Sequence, residues 1–203
     1  VTIRKGEDWG VSELLPPDAP IVSSDQALGE LFTVVDGSLR GPAIVGITGG
    51  DMARTVGSDV SEAELRHGAR TLLPIDLGIV SIDGREIVMT ASLIVRRRAW
   101  AGAIEGAMNA SFFGSWNVAP RGHPNDGRFD VIRAELSMAD KMKARKRLAS
   151  GTHVPHPDIS SRRMSKGTFE PDQRAKVWVD GVPVGRAERV DFIVQPDAVH
   201  IAI

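Results

Sequence analysis

The sequence predicts an α+β chain: a short α/β region followed by an antiparallel β-sandwich or barrel with one helix. Three observations predict it. A strand, a small polar turn and a helix occur twice before residue 75. From Asp76 onward apolar residues alternate with period two. Asp83-Gly84 and Asp180-Gly181 each sit between such alternating runs, which is a strong hairpin signal. The expected division is therefore residues 1–75 and residues 76–203.

In order along the chain, Ala19 to Ser23 is an apolar run ending in small polar residues. Ser24-Asp25 offers a helix N-cap, and Ala27, Leu28, Leu31, Phe32, Val34 and Val35 recur at helical spacing. Gly37 to Pro42 reads as a turn, and Ala43 to Ile47 as a second strand. Thr48-Gly49-Gly50-Asp51 follows, with a short helix over Met52 to Val56 stopped by Gly57. Leu77–Ile82 and Glu86–Val95 are predicted to pair across Asp83-Gly84. Phe129–Leu136 alternates, Ala175–Val179 and Pro183-Val184 flank Asp180-Gly181, and Val190–Val194 and Ala198–Ile203 read as closing strands. One helix is expected over residues 137–149, capped by Ser137 and ended by Gly151.

Composition sets limits on function. The 203 residues carry 25 basic and 26 acidic side chains, a formal net charge of -1, so no global field draws the chain to nucleic acid. There is no cysteine, which removes disulfides, thiolate metal sites and thiol nucleophiles. No apolar run reaches the roughly 18 residues of a membrane span, and no basic-then-apolar leader opens the sequence. A cytoplasmic location is expected.

The order of several short motifs resembles one family, the bacterial diacylglycerol-kinase-like lipid kinases. Met108-Asn109-Ala110, Ala119-Pro120, Asn125-Asp126-Gly127, Gly151-Thr152-His153, Asp180-Gly181 and Gln195-Pro196-Asp197-Ala198 fall in the family's order. Upstream, Thr48 to Gly57 resembles its second nucleotide loop. Ser23-Ser24-Asp25-Gln26-Ala27 stands where the family has a Gly-Gly-Asp-Gly-Thr loop, and keeps only the Asp. The resemblance implies a truncated α/β nucleotide region followed by the family's β domain, with an active site between them.

It also implies site residues. Ser23, Ser24, Asp25, Thr48, Gly49, Gly50 and Asp51 would form the nucleotide site. Phosphate loops need glycine so that backbone N–H groups approach the anion; Ser23, Ser24 and Gln26 remove that access. The plain alternative is that Ser24-Asp25 caps a helix. Gly49-Gly50-Asp51 is either a ligand loop or a structural turn, with Arg54 holding Asp51, an anion or a surface partner. Asp126, with the backbone carbonyls of His123 and Arg128, would hold a structural magnesium ion; the alternative is an ordinary Asn-Asp-Gly turn. The family's general base is a Glu two residues after the turn Asp. Here that residue is Val182, which cannot accept a proton. Asp180 is then the candidate catalytic carboxylate, with Glu188 as another base, and a turn role is the alternative for Asp180.

Lys141 and Arg145, on a helix face with a strongly basic run to Arg147, are candidate anion-binding residues, joined by Arg162 and Arg163; a solvated face is the alternative. His153 and His156 lie on a proline-rich stretch, without metal-ligand spacing. Trp116, after Gly114, is placed at a cleft. Three readings follow. The first is a diverged family member with weak or no kinase activity that binds a ligand or partner. The second is an active ATP- and magnesium-dependent lipid kinase. The third is binding to an anionic membrane or partner. Magnesium is the expected cofactor, with ATP binding weak or lost. A lipid or nucleotide, an anionic membrane surface and a second copy of the chain are the expected partners, and nucleic acid is not.

Overall fold

The computed structural model describes residues 9–97, 103–137 and 157–203, with 139, 140, 142, 147 and 151. The first region holds β1 (Val11–Leu14), β2 (Ile21–Val22) and α1 (Asp25–Glu30). Ser24 is extended (φ -152°), and its hydroxyl accepts the Ala27 N–H at 3.2 Å, so the predicted cap is present. The helix ends sooner than its spacing suggested. Thr33–Val35 (β3) and Ser38–Arg40 (β4) form a hairpin instead of a helix tail and a turn. Their β-branched residues prefer strand, and Asp36-Gly37 takes positive φ at both positions (51° and 73°), matching the twist of a hairpin. β5 (Ile44–Ile47) and α2 (Gly50–Val56) follow as expected, and Gly57 closes α2 in the left-handed conformation. A short α3 (Glu62–Leu65) carries a capping box between Ser61 and Glu64.

The rest is β6 (Ala69–Ile82), β7 (Arg85–Met89), β8 (Ser92–Arg96), β9 (Ile104–Met108), β10 (Phe112–Phe113), β11 (Trp116–Asn117), β12 (Phe129–Ala134), β13 (Ile159–Met164), β14 (Lys166–Phe169), β15 (Ala175–Val179), β16 (Val182–Ala187) and β17 (Val190–Ala202). One sheet runs β1-β6-β17-β5-β2, with β7 added on β6 and β14 on β17. The other, wholly antiparallel, runs β13-β12-β9-β8-β15-β16. The two sheets face each other across Val80, Leu93, Val95, Phe129, Val177 and Phe192, all buried. Of the helix expected over 137–149, the described residues 139, 140, 142 and 147 are helical. The Ser137 hydroxyl accepts the Asp140 N–H at 3.2 Å, as a cap should.

Two expectations about strands are corrected. The stretch from Glu86 to Val95 is not one strand: it breaks at Thr90-Ala91, with β7 in the first sheet and β8 in the second. The closing segments are not two strands either. They form the single 13-residue β17, which absorbs Pro196 to Ala198 as a bulge against β6.

β6 and β17 pair along most of their length. One end of this ribbon belongs to the sandwich. The other end extends the small parallel sheet, because Ala202 and its neighbours pair with β5. A second core of Leu28, Ile47, Met52, Ile75, Leu77 and Ile201 is built on that other end. The expected division at 75/76 thus falls inside β6. Burying each such side chain contributes about 1.5–3 kcal/mol, so the ribbon is held from both ends.

Candidate functional site: a cluster of carboxylates

Asp25 stands at the start of α1 with a 6% exposed side chain. Its carboxylate accepts the Asp51 N–H at 2.6 Å and the Met52 N–H at 3.0 Å. These are orphan donors at the start of α2. The glycines at the start of α2 leave room for the close approach of Asp25 and the Ser23 carbonyl. A Cβ on Gly50, whose φ is +97°, would lie 2.6 Å from Asp25 Oδ1. One on Gly49 would lie 2.6 Å from the Ser23 carbonyl oxygen. Thr48 donates both its N–H and its hydroxyl to the Val22 carbonyl. The residues predicted as a nucleotide site, Ser23 to Asp25 and Thr48 to Asp51, are therefore brought together, with Ser23 exposed. The anion at the glycine pair is the protein's own carboxylate.

Asp51 points the other way. Its Oδ1 accepts the Gly114 N–H at 2.8 Å, and Arg54 Nη1 donates to the Gly114 carbonyl at 2.6 Å. Arg54 also stacks 4.1 Å from the centre of the Phe112 ring. Thr55 Oγ1 accepts the Ser111 N–H at 3.0 Å. One face of α2 thus grips the β10–β11 hairpin, where Trp116 pairs with Phe113.

Asp180 approaches Asp25 and Asp51 from the β15–β16 turn, at a φ of 50°. Its carboxylate accepts three backbone N–H groups, from Thr90 (2.9 Å), Ala91 (2.7 Å) and Ser92 (2.9 Å). The chain crosses between sheets at those residues, so their donors have no strand partner there. Thr90 Oγ1, Ser92 Oγ and Asn109 Oδ1 are buried around this crossing without a protein hydrogen-bond partner. Val182, where the resemblance expects a base, opens β16 opposite Val179 and is half-buried. Glu188 is no substitute. It follows Ala187, which pairs with Ala175 at the other end of the hairpin from Asp180, roughly 15–20 Å away at a strand's rise per residue.

Electrostatics ties the three acids together. Burial pushes Asp25 up to about 7, with the charges of Asp180 and Asp51 adding and the Met52 and Asp51 N–H groups opposing. Burial likewise pushes Asp180 up to about 6, against its three N–H donors and with help from Asp51. Asp51 is raised by burial, against the Gly114 N–H and Arg54.

A fourth carboxylate escaped sequence reasoning. Asp76, in the middle of β6, is 1% exposed. Its Oδ2 accepts the Gly127 N–H at 2.7 Å and its Oδ1 the Asp197 N–H at 3.0 Å. Asn125 Nδ2 lies 3.4 Å from the same Oδ1. Burial pushes Asp76 up to about 6. Asn109 Nδ2 bridges the Asp76 carbonyl (2.7 Å) and the Thr90 carbonyl (2.8 Å), which links this loop to the Asp180 crossing. An acid inside an apolar strand is the signal that could have found it, since such groups are kept only when paired.

The loop from His123 to Asp130 is thus organised around Asp76. His123 Nδ1 accepts the Asn125 N–H, and its ring packs 4.5 Å from that of Trp9. Burial lowers the His123 pKa. Asp126 accepts the Arg128 N–H at 3.1 Å through Oδ1, while its Oδ2 meets Arg163 Nη1 at 3.1 Å. Among the described residues no group of three His, Asp or Glu side chains is arranged to hold a metal ion. A donor set with a guanidinium already on its one carboxylate does not fit a magnesium ion. Arg163, expected in a basic surface patch, is spent on this loop. Lys141, Arg145, His153 and His156 lie outside the described residues.

No helix among the described residues is long and apolar enough to cross a membrane. No curated protein sequence matches the chain. Among solved structures, two described as a putative diacylglycerol kinase from Bacillus anthracis str. Sterne are similar. One has a TM-score of 0.62 at 13% identity, over 89% of this chain and 76% of that one. The other has a TM-score of 0.58 at 14% identity, over 79% and 68%. At such identities the likeness concerns the fold, which is diacylglycerol-kinase-like. Residues 69–203 match the YegS C-terminal NAD kinase beta sandwich-like domain, and the chain belongs to that family.

Proposed function

We propose that this chain is a diverged diacylglycerol-kinase-like protein with weak or no phosphoryl transfer, which works by binding a ligand or partner at the Asp25–Asp51–Asp180 cleft. Val182 carries the proposal. A kinase needs a base beside the attacking hydroxyl, and at the expected position stands a half-buried aliphatic side chain. The acids that remain already accept backbone N–H groups. Binding is favoured by the unpartnered Thr90 and Ser92 hydroxyls beside Asp180, since buried polar atoms are normally satisfied. The expected ligand is a lipid or a nucleotide, met in the cytoplasm. Assays with ATP, magnesium and a panel of lipid alcohols are expected to give little or no turnover. Robust phosphorylation that disappears in Asp180→Ala would overturn the proposal.

One observation favours an active kinase instead. Asp25 and Asp180, raised to about 7 and about 6, lie in the range where a carboxylate exchanges protons near neutrality. That reading requires ATP with magnesium to raise the melting temperature by linkage. An unmoved transition at millimolar ATP removes it.

A further inference from the structure

We infer that Arg163 is the built-in cation of the 121–130 loop, so that the loop holds its shape without a bound metal ion. β13 pairs with β12 in a register that sets Arg163 opposite Asp130. From there its guanidinium reaches three acceptors on the loop and its flank. Nη1 lies 3.1 Å from Asp126 Oδ2, Nε lies 3.7 Å from Asp130 Oδ1, and Nη2 donates to the Arg121 carbonyl at 2.6 Å. A planar guanidinium serves such a spread of oxygens because its donors diverge in a fixed fork. Asp126 on the loop lies close to Asp130 at the start of β12 and to Asp76 of β6, and its charge acts on both. The Arg163 guanidinium between Asp126 and Asp130 offsets that repulsion. The same position excludes a second cation at Asp126, because a divalent ion on Oδ2 would sit against the guanidinium. None of this depends on whether the cleft binds a nucleotide.

The test uses the whole chain and reads thermal unfolding, not activity. Wild-type protein is melted with excess EDTA, with magnesium chloride, and with sodium chloride at matched ionic strength. The transition is expected to be the same in all three. Arg163→Met keeps the length of the side chain and removes its charge. It is expected to melt several degrees lower, and magnesium, but not sodium, is expected to recover part of that loss. A wild-type transition that falls on chelation or rises specifically with magnesium overturns the inference. So does an Arg163→Met protein that melts with the wild type. The wild-type arms stand alone should the variant fail to fold.

Discussion

Gly50 is the residue on which the cleft's geometry turns. Its φ is positive, and a Cβ on it would fall 2.6 Å from Asp25 Oδ1, which leaves no room for a side chain. Gly50→Ala is expected to cost about 2 kcal/mol or more, from the backbone strain and the displaced carboxylate together. For a chain of this size that corresponds to roughly 2–4 °C in Tm per kcal/mol. Scanning calorimetry of the variant would show it, and an unchanged transition would mean the carboxylate is not seated there. The need for small residues at Gly49-Gly50 was legible in the sequence. The occupant was not, because Asp25 lies 26 residues from Asp51 and only the pairing of β2 with β5 and the packing of α1 on α2 join them. Asp76 stayed hidden for a related reason: alternation marks which face of a strand a residue takes, while its partners come from β17 and the 123–130 loop.

At the scale of elements, the crossing of the chain from β7 to β8 is held by a side chain on another hairpin. Asp180→Ala strips the acceptor from the Thr90, Ala91 and Ser92 N–H groups. Hydrogen bonds to a charged acceptor contribute about 1.5–3 kcal/mol each, and not additively. A loss of about 3 kcal/mol or more is expected in urea unfolding, with Asp180→Asn, which keeps one oxygen, between the two. A cost below about 1 kcal/mol would reduce Asp180 to a turn residue. The hairpins at Asp83-Gly84 and Asp180-Gly181 were readable because period-two runs flank them. Asp36-Gly37 carries the same dipeptide and the same backbone, yet its flanks also fit helical spacing, so the local pattern was ambiguous. The break at Thr90-Ala91 has no turn residue to mark it.

Across the whole molecule, carboxylates that folding pushes upward set the response to pH, and three of them, Asp25, Asp76 and Asp180, are pushed furthest. Asp25, Asp76 and Asp180 move from 3.8 to about 7, 6 and 6. At intermediate pH the folded chain then holds protons that the unfolded chain releases. Their contribution is fully present below the unfolded value near 3.8 and is lost as pH rises through 6 to 7. Every tenfold gain in proton affinity on folding corresponds to about 1.4 kcal/mol. His123, lowered by burial, works in the opposite sense as a single group. Melting temperature is therefore expected to fall between pH 5 and pH 8, with a shallower slope in Asp25→Asn. A flat or rising profile would contradict the burial of these acids as described.

The α+β class, the period-two strands of the β domain, the caps at Ser24 and Gly57 and two of the Asp-Gly hairpins were legible from the amino acids, because each rests on neighbours within a few residues. Its ordered motifs also pointed to the lipid-kinase fold that the matched domain bears out. How the carboxylates are used emerged only from the folded arrangement. Asp25 seats on α2, Asp180 caps a crossing between sheets, Asp76 centres the 123–130 loop and Arg163 closes it. A carboxylate taken from water is fixed by the donors it can reach, and these lie on segments that strand pairing brings together, β2 with β5, β15 with β8 and β6 with β17.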